Sequence, residues 1–414
     1  MHRFAHISDI HLGSQRDRFM REKERESFDL AMDKCREIKV DFILISGDLF
    51  HNNVPALSVL NDALSKLSEV TSAGIPVYMV YGSHDFSHDT VGAIDILETA
   101  GVITNVSASE QKPFVRDGKT GALLSGVSGR KAGLEKDEFA ALNREVLESA
   151  DGFKIFLFHS AISEFKPADL SDMESIEISY FPTGMDYYAG GHIHRRGEFE
   201  FPGYGRIVFP GPLYLGWQPE DISRIYRGEK RGFYVVDFDD EVRNVKFVDL
   251  PPFPGTEVKV NLTGKNAVES NLLLIDEIEK ADLAGRALLL KVYGRLSGGK
   301  TSDIDFVAVR KRAADRGALY FSLDRFGLDS EEMVRYRVSG DSVSEIERNV
   351  IRENAGNFRT SMEELKGERG ISLASSLLQV LRADRLEEET EGTYNSRILQ
   401  EALKALNMET GGVS

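Results

Sequence analysis

The chain has 414 residues, more than one hydrophobic core usually supports, so two or three domains are expected. Its composition, 41% hydrophobic and 29% charged, is that of a water-soluble globular protein, and no apolar run approaches the roughly 18 residues of a membrane span. The net charge of −16 repels nucleic acid on average, so any DNA binding requires local basic patches or bound cations.

The N-terminus, MHRFAHISDI, leads straight into a strand-like run without a secretory signal pattern, which gives an expected cytoplasmic location. A single cysteine, Cys35, excludes an intrachain disulfide and a cysteine-based zinc site. Residues 1–250 alternate apolar runs (FAHIS, DFILIS, IPVYMVY, KIFLFH, MDYYAGG, RIVFPG, GFYVVDF) with segments of helical spacing, such as Glu24–Ile38 and Ala56–Thr71. This pattern predicts a layered α/β domain with a mostly buried sheet. The proline-rich DLPPFPG (249–255) is a domain boundary signal. Residues 256–328 then read as a small α+β domain, with strands EVKVNL, RALLLKVYG and ALYFSL and helices around Asn271–Lys280 and Ile304–Arg316. Residues 330–369 are polar, Glu-rich and broken by glycine, as a linker would be. Residues 370–408 carry two helical stripes, Leu373, Leu377, Leu378 and Leu381, then Ile398, Leu399, Leu403 and Leu406. Such a tail docks on its own domain or on a partner.

The chemistry lies at the strand ends. In succession they give Asp9-Ile10-His11, Gly47-Asp48, Gly82-Ser83-His84-Asp85, His159 and Gly190-Gly191-His192-Ile193-His194. In open α/β sheets ligands bind at the carboxyl ends of strands. Asp9 and His11, like His192 and His194, are two residues apart and so share a face of an extended segment. Carboxylates and imidazoles suit manganese, iron or zinc, and six such groups suit two ions sharing a bridging carboxylate. Gly190 and Gly191 allow close backbone approach.

DIHLG, GDLFH, GSHD, a histidine after an apolar strand and GGHIH, in this order, resemble the calcineurin-like metallophosphoesterase signature. More narrowly, FAHISDIHLG with DFILISGDLFH resembles the (archaeal-like) Mre-eleven/SbcD nuclease subunit of double-strand-break repair complexes. The resemblance covers residues 1–250 by motif. It implies a metallophosphoesterase sandwich followed by a small cap domain and a helix–turn–helix, partner-binding tail. It aligns Asp9, His11, Asp48, Ser83, His159, His192 and His194 with metal ligands, Asp48 being the bridge, for two divalent ions, manganese foremost. His84 aligns with the catalytic residue that steadies the scissile phosphate or protonates the leaving oxygen, Asp85 with a partner fixing its tautomer, and His51 with a substrate-proximal position. The family usually has Asn where this chain has Ser83, a shorter and weaker donor. Ser83 binds directly, a water fills the gap, or the second ion is held weakly. Also implied are DNA as substrate, a homodimer through helices of the nuclease domain, and an SMC-like Rad-fifty ATPase on the tail.

The expected function is thus a manganese-dependent exo- or endonuclease of DNA repair. A phosphoesterase acting on other substrates, or a DNA- and ATPase-binding scaffold weakened by Ser83, are the alternatives. Candidate phosphate contacts are Arg16, Arg18 and Arg21 after the first motif and Arg195 and Arg196 after the last, with Arg224, Arg227, Lys230 and Arg231 as a further basic run. GRLSGGKT (294–301) satisfies the P-loop pattern. Its acidic strand precedes the loop, the helical pattern starts late, and a unit of this size is not expected to build a parallel sheet, so a glycine-rich turn is the expectation.

Overall fold

The computed structural model describes residues 1–86, 91–130, 135–170, 172–215, 219–226, 228–251, 253–330, 351–352, 367–383, 385–386, 389 and 391–406. The chain forms two compact units, Met1–Ser330 and Glu331–Ser414.

The first unit contains two six-stranded sheets packed face to face. One has the order β12-β11-β1-β2-β3-β4, from β1 (His2–Ile7), β2 (Phe42–Ser46), β3 (Val77–Val80), β4 (Thr104–Asn105), β11 (Arg231–Phe238) and β12 (Val242–Leu250). The other has the order β5-β6-β7-β8-β10-β9, from β5 (Val115–Arg116), β6 (Leu123–Val127), β7 (Lys154–His159), β8 (Tyr187–Gly191), β9 (Gly197–Phe199) and β10 (Arg206–Phe209). Their shared interior is an aromatic and aliphatic layer including Phe4, Phe42, Leu44, Val80, Leu157, Tyr187, Ala189 and Tyr234. Strands β1, β2 and β3 run parallel, as do β6, β7 and β8, so their carboxyl ends come to one edge of the sandwich.

Helices cover both outer faces. Against the first sheet lie α1 (Arg18–Ile38), α2 (Leu57–Ser72), α3 (Ala93–Thr99) and α6 (Pro219–Tyr226), which contribute among others Phe28, Leu67, Leu97 and Ile222 to one core. Helix α1 starts a turn and a half before the apolar pattern suggests, because Asp17 caps it by accepting from the Met20 amide at 3.1 Å. Against the second sheet lie α4 (Glu135–Ala140) and α5 (Arg144–Ser149), whose Phe139 and Leu147 join a separate core.

A third sheet, β13 (Gly255–Asn261), β14 (Ala287–Leu296) and β15 (Tyr320–Asp324), with β16 (Leu328–Ser330) paired to β14, is parallel throughout. This overturns the expectation that so small a unit carries no parallel sheet. The crossovers are α7 (Ala267–Lys280) and α8 (Phe306–Asp315), and α7 is longer than expected because Asn266 and Glu269 form a capping box. The GRLSGGKT segment is nevertheless no phosphate cradle: Thr301–Asp303 is a single 3-10 turn, and α8 begins only at Phe306.

In the second unit, α9 (Gly367–Leu381) and α10 (Glu391–Ala405) pack on each other, with Tyr394 donating to the Ala383 carbonyl at 3.1 Å and Arg397 paired to Glu389 at 2.6 Å. Among the described residues no helix is long and apolar enough to cross a membrane. Most of the expected linker, and Arg227, lie outside the described residues.

Candidate metal centre and active site

The loops after β1 and β2 are zipped together beyond the sheet. The amides of Asp9, His11 and Leu12 donate to the carbonyls of Gly47, Asp48 and Leu49 at 3.2, 2.9 and 2.9 Å. Within these loops Asp9, His11 and Asp48 adopt left-handed backbone (φ 50°, 52° and 54°), as does His192 after β8 (φ 83°). Non-glycine residues rarely adopt this conformation, and it concentrates at functional sites. It turns each side chain inward, and Asp9, His11, Asp48 and His159 are all buried.

Each carboxylate is pinned by one oxygen. Asp48 Oδ1 accepts from the His84 amide at 2.9 Å, which leaves Oδ2 3.1 Å from His159 Nε2 and 3.6 Å from His11 Nε2. Asp9 Oδ1 accepts from the His192 amide at 3.0 Å and lies 3.9 Å from His194 Nε2 and 4.0 Å from His159 Nε2. Gly82 makes the first arrangement feasible, since a Cβ there would stand 2.0 Å from Asp48 Oδ1. At Gly191 a Cβ would stand 2.0 Å from the Ser46 carbonyl oxygen, to which His159 Nδ1 donates at 2.7 Å.

These atoms fit divalent cations. His11 Nε2 and His194 Nε2 face each other at 3.1 Å. Two donors about 2.1 Å from one cation and at right angles to it are about 3 Å apart. Asp9 Oδ2 is buried without a hydrogen-bond partner, an arrangement that costs free energy unless a cation or proton satisfies it. Asp9, His11 and His194 form one ligand cluster, Asp9, Asp48 and His159 a second, and His11, His51 and His84 a third. Ser83 and His192 line the same cleft of about 240 Å³, together with Asp48, His84, Leu170, Met173, His194, Arg195, Asp221 and Arg224.

The electrostatics agree. Burial would lower the His159 pKa, but the charge and hydrogen bonding of Asp48, with help from Asp9, raise it to about 10. Burial would raise Asp48, but the charges of His159 and His11 hold it well below the carboxylate range. In the metal-free chain a proton on His159 thus takes the place of a metal charge. Burial holds His11 well below its usual range and His192 down at about 3, which keeps both neutral and able to donate lone pairs.

His84 is oriented by backbone: its Nδ1 donates to the His51 carbonyl at 2.8 Å, and its ring stacks on that of His51 with centroids 4.9 Å apart. The expected tautomer-fixing partner, Asp85, does something else. Its oxygens accept from the amides of Gly82, Phe50 and Leu49 at 3.0, 3.0 and 3.3 Å and so brace the turn that carries His84. Burial, then the charge of Asp48, pushes Asp85 up to about 7.

Sequence reading missed Asp221. It lies on α6 and its Oδ2 accepts from His194 Nδ1 at 3.0 Å, so His194 Nε2 is the lone-pair nitrogen. Burial would lower His194, but this hydrogen bond and the charge of Asp9 leave its pKa raised. Arg231, expected on a basic surface, is 3% exposed and lies 3.5 Å from Asp221 Oδ1, where no DNA phosphate can reach it. Of the other arginines, Arg195 and Arg224 line the cleft, and Arg195 is ion-paired with Asp169. Arg196 lies over the Phe247 ring at 4.6 Å. Arg16 is exposed, while Arg18 and Arg21 line a different groove, between α1 and α2.

A domain with this two-sheet core and strand-end ligand set is a metal-dependent phosphoesterase. Residues 2–196 match the calcineurin-like phosphoesterase family and constitute such a domain, and its fold implies divalent metal ions. Similarity extends further. The chain is 28% identical over 333 residues to the DNA double-strand break repair protein Mre11 of Methanopyrus kandleri, covering 76% of this chain and 69% of that protein. It is 27% identical over 255 residues to the Mre11 protein of Archaeoglobus fulgidus, covering 56% and 57%. It is also 28% identical over 219 residues to the uncharacterized metallophosphoesterase YhaO of Bacillus subtilis, covering 50% and 52%.

Proposed function

We propose that this chain is a two-metal, manganese-dependent DNA nuclease of double-strand-break repair. The observation that carries the reading is Asp48, whose Oδ2 lies between His11 and His159, 3.6 and 3.1 Å away, beside the cleft that holds His84. Asp9, His11 and His194 would hold one ion and His159, His192 and Ser83 the other, with Asp48 shared. When bound, such ions polarise a water and the phosphoryl oxygens. His84 serves the leaving oxygen: the His51 carbonyl accepts Nδ1–H in both charge states, so Nε2 gains or gives a proton without loss of that hydrogen bond. Arg195 and Arg224, at the lip of the cleft, supply positive charge for neighbouring phosphates in an otherwise acidic chain. Arg16 and Arg196 are more distant candidates for DNA contact.

Exposed Val54, Leu57, Val91 and Ile96, on and before α2 and α3, support a homodimer. Exposed Leu381, Leu386 and Leu399 in the helical tail support docking of an SMC-like Rad-fifty ATPase there. An intracellular location goes with this reading.

Cleavage of linear DNA with Mn²⁺, beside His84→Leu, tests it. Cleavage that disappears in the variant supports the nuclease, whereas turnover of small phosphodiesters but not of DNA refutes it in favour of another phosphoesterase. One feature favours a second reading. Ser83, a short neutral donor at the His192 side of the cleft, would weaken the second ion and leave a DNA- and ATPase-binding scaffold. DNA binding without cleavage, restored to cleavage by Ser83→Asn, would establish it.

A further inference from the structure

The ligand set is split between the two sheets: Asp9, His11 and Asp48 follow β1 and β2, whereas His159 ends β7 and His192 and His194 follow β8. Its geometry therefore depends on how the sheets are spaced and registered. The layer between them is apolar or aromatic at most positions, and apolar attraction is non-directional. His6, the next-to-last residue of β1, breaks that pattern.

His6 is fully buried, with Nδ1 3.0 Å from Tyr187 Oη and Nε2 3.0 Å from Ser46 Oγ. Ser46 Oγ in turn donates to the Ala189 carbonyl at 2.9 Å. A hydroxyl has one hydrogen, so the bond to Ala189 obliges Ser46 to accept from His6 Nε2–H. Nδ1 is then the acceptor for the Tyr187 hydroxyl. Burial pushes the His6 pKa down to about 3, in keeping with this neutral tautomer. The chain of hydrogen bonds has one direction: it leaves β8 at Tyr187, crosses to β1 and β2, and returns to β8 at Ala189. Both ends lie close to the ligands. Ser46 precedes Gly47-Asp48, and its backbone carbonyl accepts from His159 Nδ1 at 2.7 Å. Ala189 stands three residues before His192.

We propose that His6 is a positioning residue, a polar bolt that with Tyr187 and Ser46 holds the two sheets, and so the two halves of the metal centre, in the register that two ions require. Hydrogen bonds lose strength steeply with distance and angle, so a directional buried chain adds an angular and distance requirement that non-directional apolar contacts do not carry. The inference rests on the two-metal reading of the site.

The test uses the full chain and Mn²⁺ alone. Two variants are compared, Tyr187→Phe, which removes only the donor to His6, and His6→Leu/Tyr187→Phe, which replaces the crossing with apolar groups and leaves Ser46 its bond to Ala189. Folding is read from the melting curve of the chelated protein. The site is read from Mn²⁺ affinity and stoichiometry and from the electron paramagnetic resonance signal of exchange-coupled Mn²⁺ pairs. The expected result is a cooperative melt in both variants, a fall in Mn²⁺ affinity of several-fold in the single variant and at least tenfold in the double, and loss of the coupled-pair signal. If the double variant does not fold, the single variant decides alone. Unchanged affinity and coupling in a folded variant would overturn the proposal. Absence of Mn²⁺ binding by the unaltered chain would instead overturn the two-metal reading beneath it.

Discussion

Loading the metal-free chain with Mn²⁺ is expected to expel protons, and His159 dominates the count. Its Nδ1–H is committed to the Ser46 carbonyl, and its Nε2 lies 3.1 Å from Asp48 Oδ2, so a proton on Nε2 satisfies both atoms. Asp48 and Asp9 hold that proton up to about pH 10 against the effect of burial. At about pH 7.5 nearly every metal-free molecule carries it, and an ion that takes Nε2 must displace it. Release of about one proton per chain follows, with a further fraction from His194, whose pKa is also raised. Apparent Mn²⁺ affinity should rise about tenfold, ~1.4 kcal/mol, for each pH unit between about 7 and 9. Titration calorimetry in two buffers of different protonation enthalpy gives the proton count directly. A count of zero at about pH 7.5 would refute the reasoning, because it would mean that His159 is already neutral. The same pair predicts a stability change of definite sign. A folded-state pKa raised from 6.5 to about 10 stabilises the metal-free fold fully below the lower value, and that contribution fades as pH rises through the upper one. The melting temperature of the chelated chain should fall across that window, and that of the loaded chain, whose His159 carries no proton, should not.

Other substitutions probe single contacts. Gly82→Ala sets a Cβ 2.0 Å from Asp48 Oδ1 and 2.3 Å from its amide nitrogen, so the turn must move; a loss of about 1–3 kcal/mol in urea unfolding and loss of the shared ligand's ion are expected. Asp221→Asn weakens the acceptor for His194 Nδ1–H and should lower metal affinity about 10- to 100-fold, measured by Mn²⁺ titration, and it should also lower the melt of the chelated chain because buried Arg231 loses a charged partner. Asp85→Asn removes an acceptor from a carboxylate that holds three amides, and about 1–3 kcal/mol of stability should go with it; an unchanged unfolding midpoint would remove Asp85 from its bracing role. Lys300→Ala should leave nucleotide binding unchanged in equilibrium dialysis, since no helix N-terminus follows the glycine-rich turn at once.

The sandwich and its ligands are legible in sequence because the two kinds of signal coincide: the apolar runs of β2, β3, β7 and β8 are fully buried strands, and they end in or lead directly to Asp48, Ser83-His84, His159 and His192-Ile193-His194. What lies across the fold is not legible. Asp221 sits on a helix 27 residues after His194, and only the need of a ligand histidine's second nitrogen for an acceptor hints that such a residue exists. Asp85 is adjacent to His84, yet its side chain turns to amides of the neighbouring loop, which spacing cannot reveal. Arg231 reads as part of a basic run but opens a strand whose pairing buries it. Two clues were present in the sequence. Asn266 with Glu269 marks the true start of α7, and hence a crossover long enough for a parallel sheet, and a histidine inside the apolar FAHIS run marks the polar crossing between the sheets.

Placing the ligands on both sheets also alters the covalent topology of the chain when ions are bound. An ion held jointly by His11 and His194 closes a loop of 183 residues, in a protein whose one cysteine is buried and unpaired. A crosslink across about 100 residues restricts the unfolded chain by about 4–5 kcal/mol in the chain-entropy treatment, and the value grows only logarithmically with length. Bound there, the ions would do for the unfolded chain what a long-range disulfide does. On this reading a chelator would act on the unfolded state: it would remove the crosslink and enlarge the ensemble to which the protein unfolds, while the apolar layer and the His6 crossing still hold the N-terminal strand against the far sheet in the fold.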